Sequence, residues 1–232
     1  MGFTVPGFTK SQLQYDKMNQ IVDRGHIMEA RQIDGELMTE AEYLAFEETS
    51  EFRHEYASGR VIEMSGVSSI HIDICMNVSA NLHNQVRGTD CRAAQSDMRV
   101  QIKKKHRTAY RYPDVSVVCG ERQFVEGVGS ATLTNPTVLI EVLSASTASV
   151  DRIQKLEEYR QIDTLQDYLI IAQDAIWVAH YQRQTAKTWT YTVYTDSDDM
   201  INLPAIDCTL LLLTVYENIV FPIDSDDETT EE

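Results

Sequence analysis

The sequence predicts a single α/β or α+β domain with a mixed β-sheet. Helix-like and strand-like segments alternate along the chain: a helix and a hairpin, a helix, strands, a helix and more strands. The runs Tyr112–Val118 and Pro136–Ser144 hold short apolar stretches rich in β-branched residues and bounded by turn residues, which is typical of buried strands. With 232 residues, the chain can bury a sizeable core in one domain.

Capping and turn signals predict the first elements. Residues 1–37 have weak periodicity and are interpreted as an N-terminal extension with one short helix around Lys10–Arg24. Thr39-Glu40-Ala41-Glu42 fits a capping box, so a helix is expected to begin near Thr39. Phe52–Met64 alternates on both sides of Ser58-Gly59, which indicates a β-hairpin.

The following helix is predicted over residues 71–87, where Gly88 stands at the position of a C-terminal cap. Its apolar face is expected to contain Ile72, Cys75, Met76, Ala80 and Leu82. Two short strands are expected around Cys91–Ala94 and Asp97–Ile102.

The predicted domain spans residues 38–222. Its second half is expected to add one helix and four strands. The helix covers about Ser149–Gln161; the strands are Tyr168–Ile171, an antiparallel pair formed by Trp177–Gln182 and Thr188–Tyr194, and Asp207–Leu213. Residues 223–232 contain six acids and no base, and we interpret them as a disordered acidic tail.

Charge and cysteine usage restrict the function classes. The net charge of −16 argues against a general nucleic-acid binder, so contact with nucleic acid has to be confined to a local basic patch. Such a patch is predicted at Lys103, Lys104, Lys105, Arg107 and Arg111. The four cysteines are scattered and are read as buried apolar residues of a cytoplasmic protein, not as a disulfide or zinc framework. No apolar run is long enough for a membrane span.

Two acids stand inside the apolar runs. Burying Asp114 and Glu141 among β-branched residues is costly unless cations or hydrogen-bond donors meet them, so we expect them to lie together. Carboxylates of this kind typically hold Mg²⁺ or Mn²⁺. Asp151, Lys155 and Tyr159 share one helical face, which could bring Lys155 over the carboxylates to assist a nucleophilic water or the transition state.

These residues resemble the Uma2 family of restriction-endonuclease-like proteins, over roughly residues 38–221. The resemblance is carried by short motifs along the chain: Arg53-His54-Glu55-Tyr56, the helix opening at His71, Ser96–Val100, Pro113-Asp114, Leu133–Pro136, Glu141–Ser144, Asp151, Lys155, Tyr159 and Tyr168–Ile170.

The resemblance implies a restriction-endonuclease-like PD-(D/E)XK core, a divalent ion and hydrolysis of phosphodiester bonds in DNA. Asp114, Glu141 and Lys155 would be catalytic; Glu55, His71, Asp151 and Tyr159 would support them. A homodimer is expected because cores of this fold frequently pair. Two positions depart from the pattern: Leu143 stands where the motif usually has lysine, so Lys155 would replace it, and Arg60 stands at a hairpin turn that is usually acidic.

Two alternatives stay open at this point. The protein could be an interaction or structural protein that keeps the fold without catalysis, which the acidic composition and Arg60 favour. It could also be a hydrolase that uses Asp114 and Glu141 as a general acid–base pair without metal.

Overall fold

A computed structural model describes residues 37–64, 66–104, 107–127, 131–143 and 150–221, with backbone alone for residues 104 and 150–153. The predicted helix around Lys10–Arg24 and the predicted acidic tail lie outside these ranges. The α-helices are α1 Glu40–Thr49, α2 Ser69–Gln85, α3 Val150–Tyr159 and the short α4 Leu212–Val215. No helix of the described ranges has the length and apolar character needed to cross a membrane.

The strands are short and fall into two sheets and a ribbon. They are β1 His54–Ala57, β2 Arg60–Glu63, β3 Cys91–Gln95, β4 Arg99–Lys104, β5 Arg107–Arg111, β6 Val115–Cys119, β7 Thr132–Leu133, β8 Val138–Leu143, β9 Asp167–Ala172, β10 Val178–Arg183, β11 Trp189–Tyr194, β12 Met200–Leu203 and β13 Cys208–Leu211. The first sheet has the order β2-β1-β5-β4-β7, the second has the order β11-β10-β9-β8-β6-β3, and β12 pairs with β13.

Both sheets are mixed, which confirms the predicted fold class. The β4–β7 and β8–β9 pairs are parallel, and the other pairs are antiparallel. The division into two sheets differs from the single sheet expected. Two of the places where the chain changes sheet lie between β3 and β4, where Ser96 adopts a φ of 47°, and between β5 and β6. The Ser96 N–H donates to the Asp114 carbonyl over 2.8 Å, so the two crossing points are joined beside Asp114.

The predicted N-terminal helix and hairpin are confirmed. Thr39 caps α1, and the Glu42 side chain accepts from the Thr39 N–H over 2.7 Å, completing the capping box. Ser58 and Gly59, at the turn between β1 and β2, both have positive φ values, 53° and 92°. A tight hairpin turn with this backbone suits the twist of the two strands.

The central strands of the second sheet, β6, β8 and β9, are buried on both faces. On one face, β6, β8 and β9 pack with α2, α4 and β13; on the other, they pack with β4, β5 and α3. Because side chains alternate along a strand, Glu141 shares its face with Leu139 and Leu143, on the side of α3.

The buried face of α2 differs from the prediction. It contains His71, Ile74, Cys75, Val78 and Leu82, whereas Ile72 and Met76 are 52% and 54% exposed. The expectation was therefore wrong for Ile72 and Met76, and also for Ala80, which is exposed. The face of α2 that contains Ile74 and Val78 packs against the sheet, so Ile72 and Met76 point outward.

The expectation for the cysteines is wrong for one pair. Cys91 and Cys119 form a disulfide, because they stand opposite each other on the antiparallel neighbours β3 and β6. Cys75 and Cys208 are free and buried, as predicted. The register of two strands 28 residues apart brought Cys91 and Cys119 together, and no local spacing pattern could indicate it.

Candidate active site

Asp114 and Glu141 lie side by side, as the sequence predicted. Strand β6 runs antiparallel to β8 with Val115 opposite Ile140, so Asp114 falls one step further, beside Glu141. The Val142 N–H donates to Asp114 Oδ2 over 2.7 Å. Glu141 is 8% exposed and the Asp114 side chain is 15% exposed, so the pair is nearly buried but reaches solvent at Asp114.

Helix α3 supplies the cation and a hydroxyl. Lys155 Nζ lies 3.3 Å from both Oε1 and Oε2 of Glu141, and the Tyr159 hydroxyl donates to Glu141 Oε1 over 2.6 Å. The two residues are four positions apart and therefore share one face of α3, as predicted. Asp151 was predicted to support the catalytic residues, and its side chain lies outside the described part of the structure.

The first sheet adds a second carboxylate and an arginine. Glu55 of β1 lies 3.1 Å from Lys155 Nζ through Oε1, and Arg111 Nη1 donates to Glu55 Oε2 over 2.8 Å. Arg111 also binds Glu158 of α3 through Nε and Nη2, over 2.7 and 3.0 Å. Hydrogen bonds and ion pairs connect six residues into one network: Glu55, Arg111, Glu158, Lys155, Glu141 and Tyr159. Asp114 lies beside Glu141 on the neighbouring strand, and we call these seven residues the acidic cluster.

The placement of Arg111 corrects its expected role. Arg111 is 1% exposed, and Glu55 and Glu158 occupy its guanidinium group, so it is not part of a surface that binds phosphate. The basic segment was expected to be contiguous, but β5 runs inward from its exposed end at Arg107 to its buried end at Arg111. Lys103 and Arg107 are exposed at the outer end, the side chain of Lys104 is not described, and Lys105 lies outside the described residues.

Helix α2 brings a histidine and a cysteine to the same place. His71 Nε2 lies 3.0 Å from Asp114 Oδ1, which places the predicted supporting histidine at the site. Ligand atoms of His71, Cys75 and Asp114 all lie within 4.8 Å of one another. Cys75 was read only as an apolar residue; its position four residues after His71 was the signal that could have found it.

The charges in the acidic cluster do not balance when all groups are ionised. The acidic cluster holds four carboxylates, those of Glu55, Asp114, Glu141 and Glu158, and the two cations Lys155 and Arg111. With His71, which contacts Asp114, counted as neutral, two negative charges are left over among the described residues. An excess of this kind in a buried place favours the uptake of protons or of a cation.

The pKa values follow from this imbalance. Burial, together with the charges of Asp114 and Glu55, raises the pKa of Glu141 to about 8, although Lys155 acts in the opposite direction. Burial also acts to raise the pKa of Glu55, but Lys155 and Arg111 outweigh it, so the pKa of Glu55 is lowered. Burial and the charges of Asp114 and Glu141 raise the pKa of the Cys75 thiol. Glu141 is therefore the carboxyl group that takes up a proton first.

The hairpin turn that carries Arg60 packs elsewhere. Arg60 is exposed at the start of β2, and the Met38 N–H donates to the Gly59 carbonyl over 2.9 Å. The turn thus contacts the residues before α1, and Glu55 is the residue of this hairpin that enters the acidic cluster.

The architecture is shared with a protein of known structure. It is similar to a crystal structure of a protein from Anabaena variabilis ATCC 29413, described as a "putative nuclease belonging to DUF820", with a TM-score of 0.63 and 20% sequence identity. The match covers 77% of this chain and 97% of that chain, so it includes nearly the whole neighbouring fold.

The chain belongs to the Uma2 family, whose model is described as "Putative restriction endonuclease" and matches residues 40–214. Two relatives come from Synechocystis sp. strain PCC 6803. The uncharacterized protein sll1609 is 36% identical over 67% of this chain and 86% of its own length. The uncharacterized protein slr1290 is 31% identical over 78% of this chain and 92% of its own length. The family predicted from the sequence motifs is thereby confirmed.

Proposed function

We propose that this protein is a metal-dependent nuclease that hydrolyses phosphodiester bonds of DNA. The observation that carries the proposal is the excess of two negative charges in the acidic cluster, which reaches solvent at Asp114. One divalent cation would neutralise this excess, and the phosphate backbone would approach the same opening.

The donor set fits such an ion. Asp114 and Glu141 offer hard carboxylate oxygens on neighbouring strands, the ligands that Mg²⁺ and Mn²⁺ prefer. His71 Nδ1 is buried and has no hydrogen-bond partner within the described residues, so the site also contains polar capacity that is not used. When bound, the ion would acidify a water molecule and offset negative charge on the phosphate.

The remaining groups would act by position and charge. Lys155 lies between Glu141 and Glu55, where its ammonium group could orient the attacking water or stabilise the extra charge of the transition state. Tyr159 and Arg111 hold these two carboxylates in place by hydrogen bonds, so they are positioning residues.

Phosphate contact outside the site is proposed for the outer end of the β4–β5 hairpin. Lys103 and Arg107 are exposed there, and the predicted Lys104 and Lys105 lie between them in sequence. Arg107 stands four positions before the buried Arg111 on β5, which is about 13 Å at 3.3 Å per residue. DNA could therefore contact this basic end and the site at once, although the protein as a whole is acidic.

Mutation of the acids tests the proposal. Asp114→Asn and Glu141→Gln should each abolish cleavage of plasmid and single-stranded DNA in Mg²⁺ or Mn²⁺ while the folded state is retained. Asp73→Asn is the matched control, because it removes an exposed carboxylate from α2 and should cleave like the wild type. Cleavage that persists in both site variants would refute the assignment. A wild type that shows neither cleavage nor stabilisation by either ion would favour the catalytically inactive scaffold.

A further inference from the structure

The three-residue group of His71, Cys75 and Asp114 is not explained by a magnesium site. His71 and Cys75 follow one another by four residues on the buried face of α2, and both point at Asp114. His71 is 6% exposed and Cys75 is 2% exposed, so both are held inside the protein. Their ligand atoms and a carboxylate oxygen of Asp114 lie within 4.8 Å of one another, close enough to share one ion.

The chemistry of the three donors indicates which ion. Mg²⁺ takes oxygen ligands and keeps most of its water, so an imidazole nitrogen and a sulfur add little to its binding. Zn²⁺ and Co²⁺ accept nitrogen, sulfur and oxygen together, and three protein ligands with one open position are the usual arrangement of a catalytic zinc. The solvent opening at Asp114 would supply that open position.

A polar atom of His71 supports a role beyond packing. His71 Nε2 contacts Asp114, while Nδ1 is buried without a hydrogen-bond partner among the described residues. Buried polar atoms normally have a partner, so the hydrogen bonds among the described residues do not account for this imidazole in full.

We propose that His71, Cys75 and Asp114 form a binding site for a borderline transition-metal ion of the Zn²⁺ class. The inference rests on the proposed function, because Asp114 belongs to both donor sets, and it adds His71 and Cys75 as donors for a second class of metal ion. On binding, the Cys75 thiol loses its proton to solvent and the sulfur forms a bond to the metal; no group is oxidised or reduced.

Titration of the full chain with Co²⁺ tests the proposal. A sulfur ligand gives cobalt a thiolate-to-metal absorption band in the near ultraviolet, which oxygen and nitrogen ligands do not produce. The wild type should show this band, and Cys75→Ser should lose it. The matched control is Cys208→Ser, because Cys208 is the other free, buried cysteine, and this variant should keep the band.

X-ray absorption at the zinc edge of the wild type gives a readout that needs no variant. A sulfur neighbour at about 2.3 Å from zinc is expected. A wild type with oxygen and nitrogen neighbours alone would overturn the proposal, as would a cobalt band that survives Cys75→Ser or disappears in Cys208→Ser. DNA cleavage in Mg²⁺ by a protein without sulfur ligation would refute this inference but not the nuclease. Sulfur ligation through Cys75 without cleavage under any ion would support this inference and refute the nuclease.

Discussion

Replacement of Glu141 by glutamine should change how stability depends on pH. Burial raises the pKa of Glu141 to about 8, above the ordinary value of 4.5. Between these two values the folded protein keeps a proton on Glu141 while the unfolded chain has lost it. The contribution of Glu141 to stability is therefore fully present below pH 4.5 and is lost as the pH rises toward 8. Glutamine resembles the protonated form and should remove this dependence.

The expected effect is large. A difference of one pKa unit corresponds to about 1.4 kcal/mol, so Glu141 lowers the free energy of unfolding by on the order of 5 kcal/mol between pH 4.5 and pH 8. For a chain of this size, each kcal/mol of stability corresponds to about 2–4 °C in Tm. The Tm of the wild type should therefore fall by on the order of 10 °C between pH 4.5 and pH 8. Glu55 does not oppose this trend, because its lowered pKa costs stability only below its ordinary range.

Thermal melting from pH 5 to pH 8 without divalent ions measures the effect. Glu141→Gln should melt close to the wild type at pH 5 and clearly above it at pH 8. Glu157→Gln, on the exposed side of the same helix, removes the same formal charge and should follow the wild type at every pH. Equal slopes for Glu141→Gln and the wild type would show that Glu141 is ionised throughout this range.

Three further results are expected. Lys155→Met should lower the free energy of unfolding by about 3–5 kcal/mol, because it leaves Glu55 and Glu141 without their shared cation. Urea unfolding at pH 8 measures this change, and an unchanged unfolding midpoint would contradict the ion-pair network. Millimolar Mn²⁺ should raise Tm more at pH 8 than at pH 6, because protons compete with the ion for the carboxylates of Asp114 and Glu141. An equal rise in Tm at both pH values would show that the ion binds at another place. Reductant should lower the free energy of unfolding of the wild type by about 3–4 kcal/mol, because it breaks the Cys91–Cys119 disulfide, whose cysteines are 28 residues apart. The variant Cys119→Ser lacks this disulfide, so reductant should not change its stability. A wild type indifferent to reductant would show that Cys91 and Cys119 are not joined.

Local pattern predicted much of this site. Asp114 and Glu141 stood out because a carboxylate inside an apolar strand needs a partner. Lys155 and Tyr159 could be placed on one face of a helix because the spacing of four residues is a property of the helix alone. The same reasoning located the Thr39 capping box, whose hydrogen bonds involve residues three positions apart.

The failures of prediction lie where distant segments meet. Arg111 belongs to a basic stretch, and only the pairing of β5 with β1 places it against Glu55, inside the acidic cluster. Strand β12 was not predicted, and its partner β13 was expected to be longer than it is. More than one face of α2 contains apolar residues, so the sequence alone did not show which face packs against the sheet.

By itself, the sequence determined the three longer helices, the hairpin and the central strands, which acids need a counter-charge, and the family of the chain. The tertiary structure decided which charges meet. It divided the strands between two sheets, brought Cys75 to Asp114 and occupied Arg111 with Glu55 and Glu158. The physical reason is that periodicity along the chain sets the face on which a side chain stands, whereas its neighbours across that face come from segments many residues away and are set by packing.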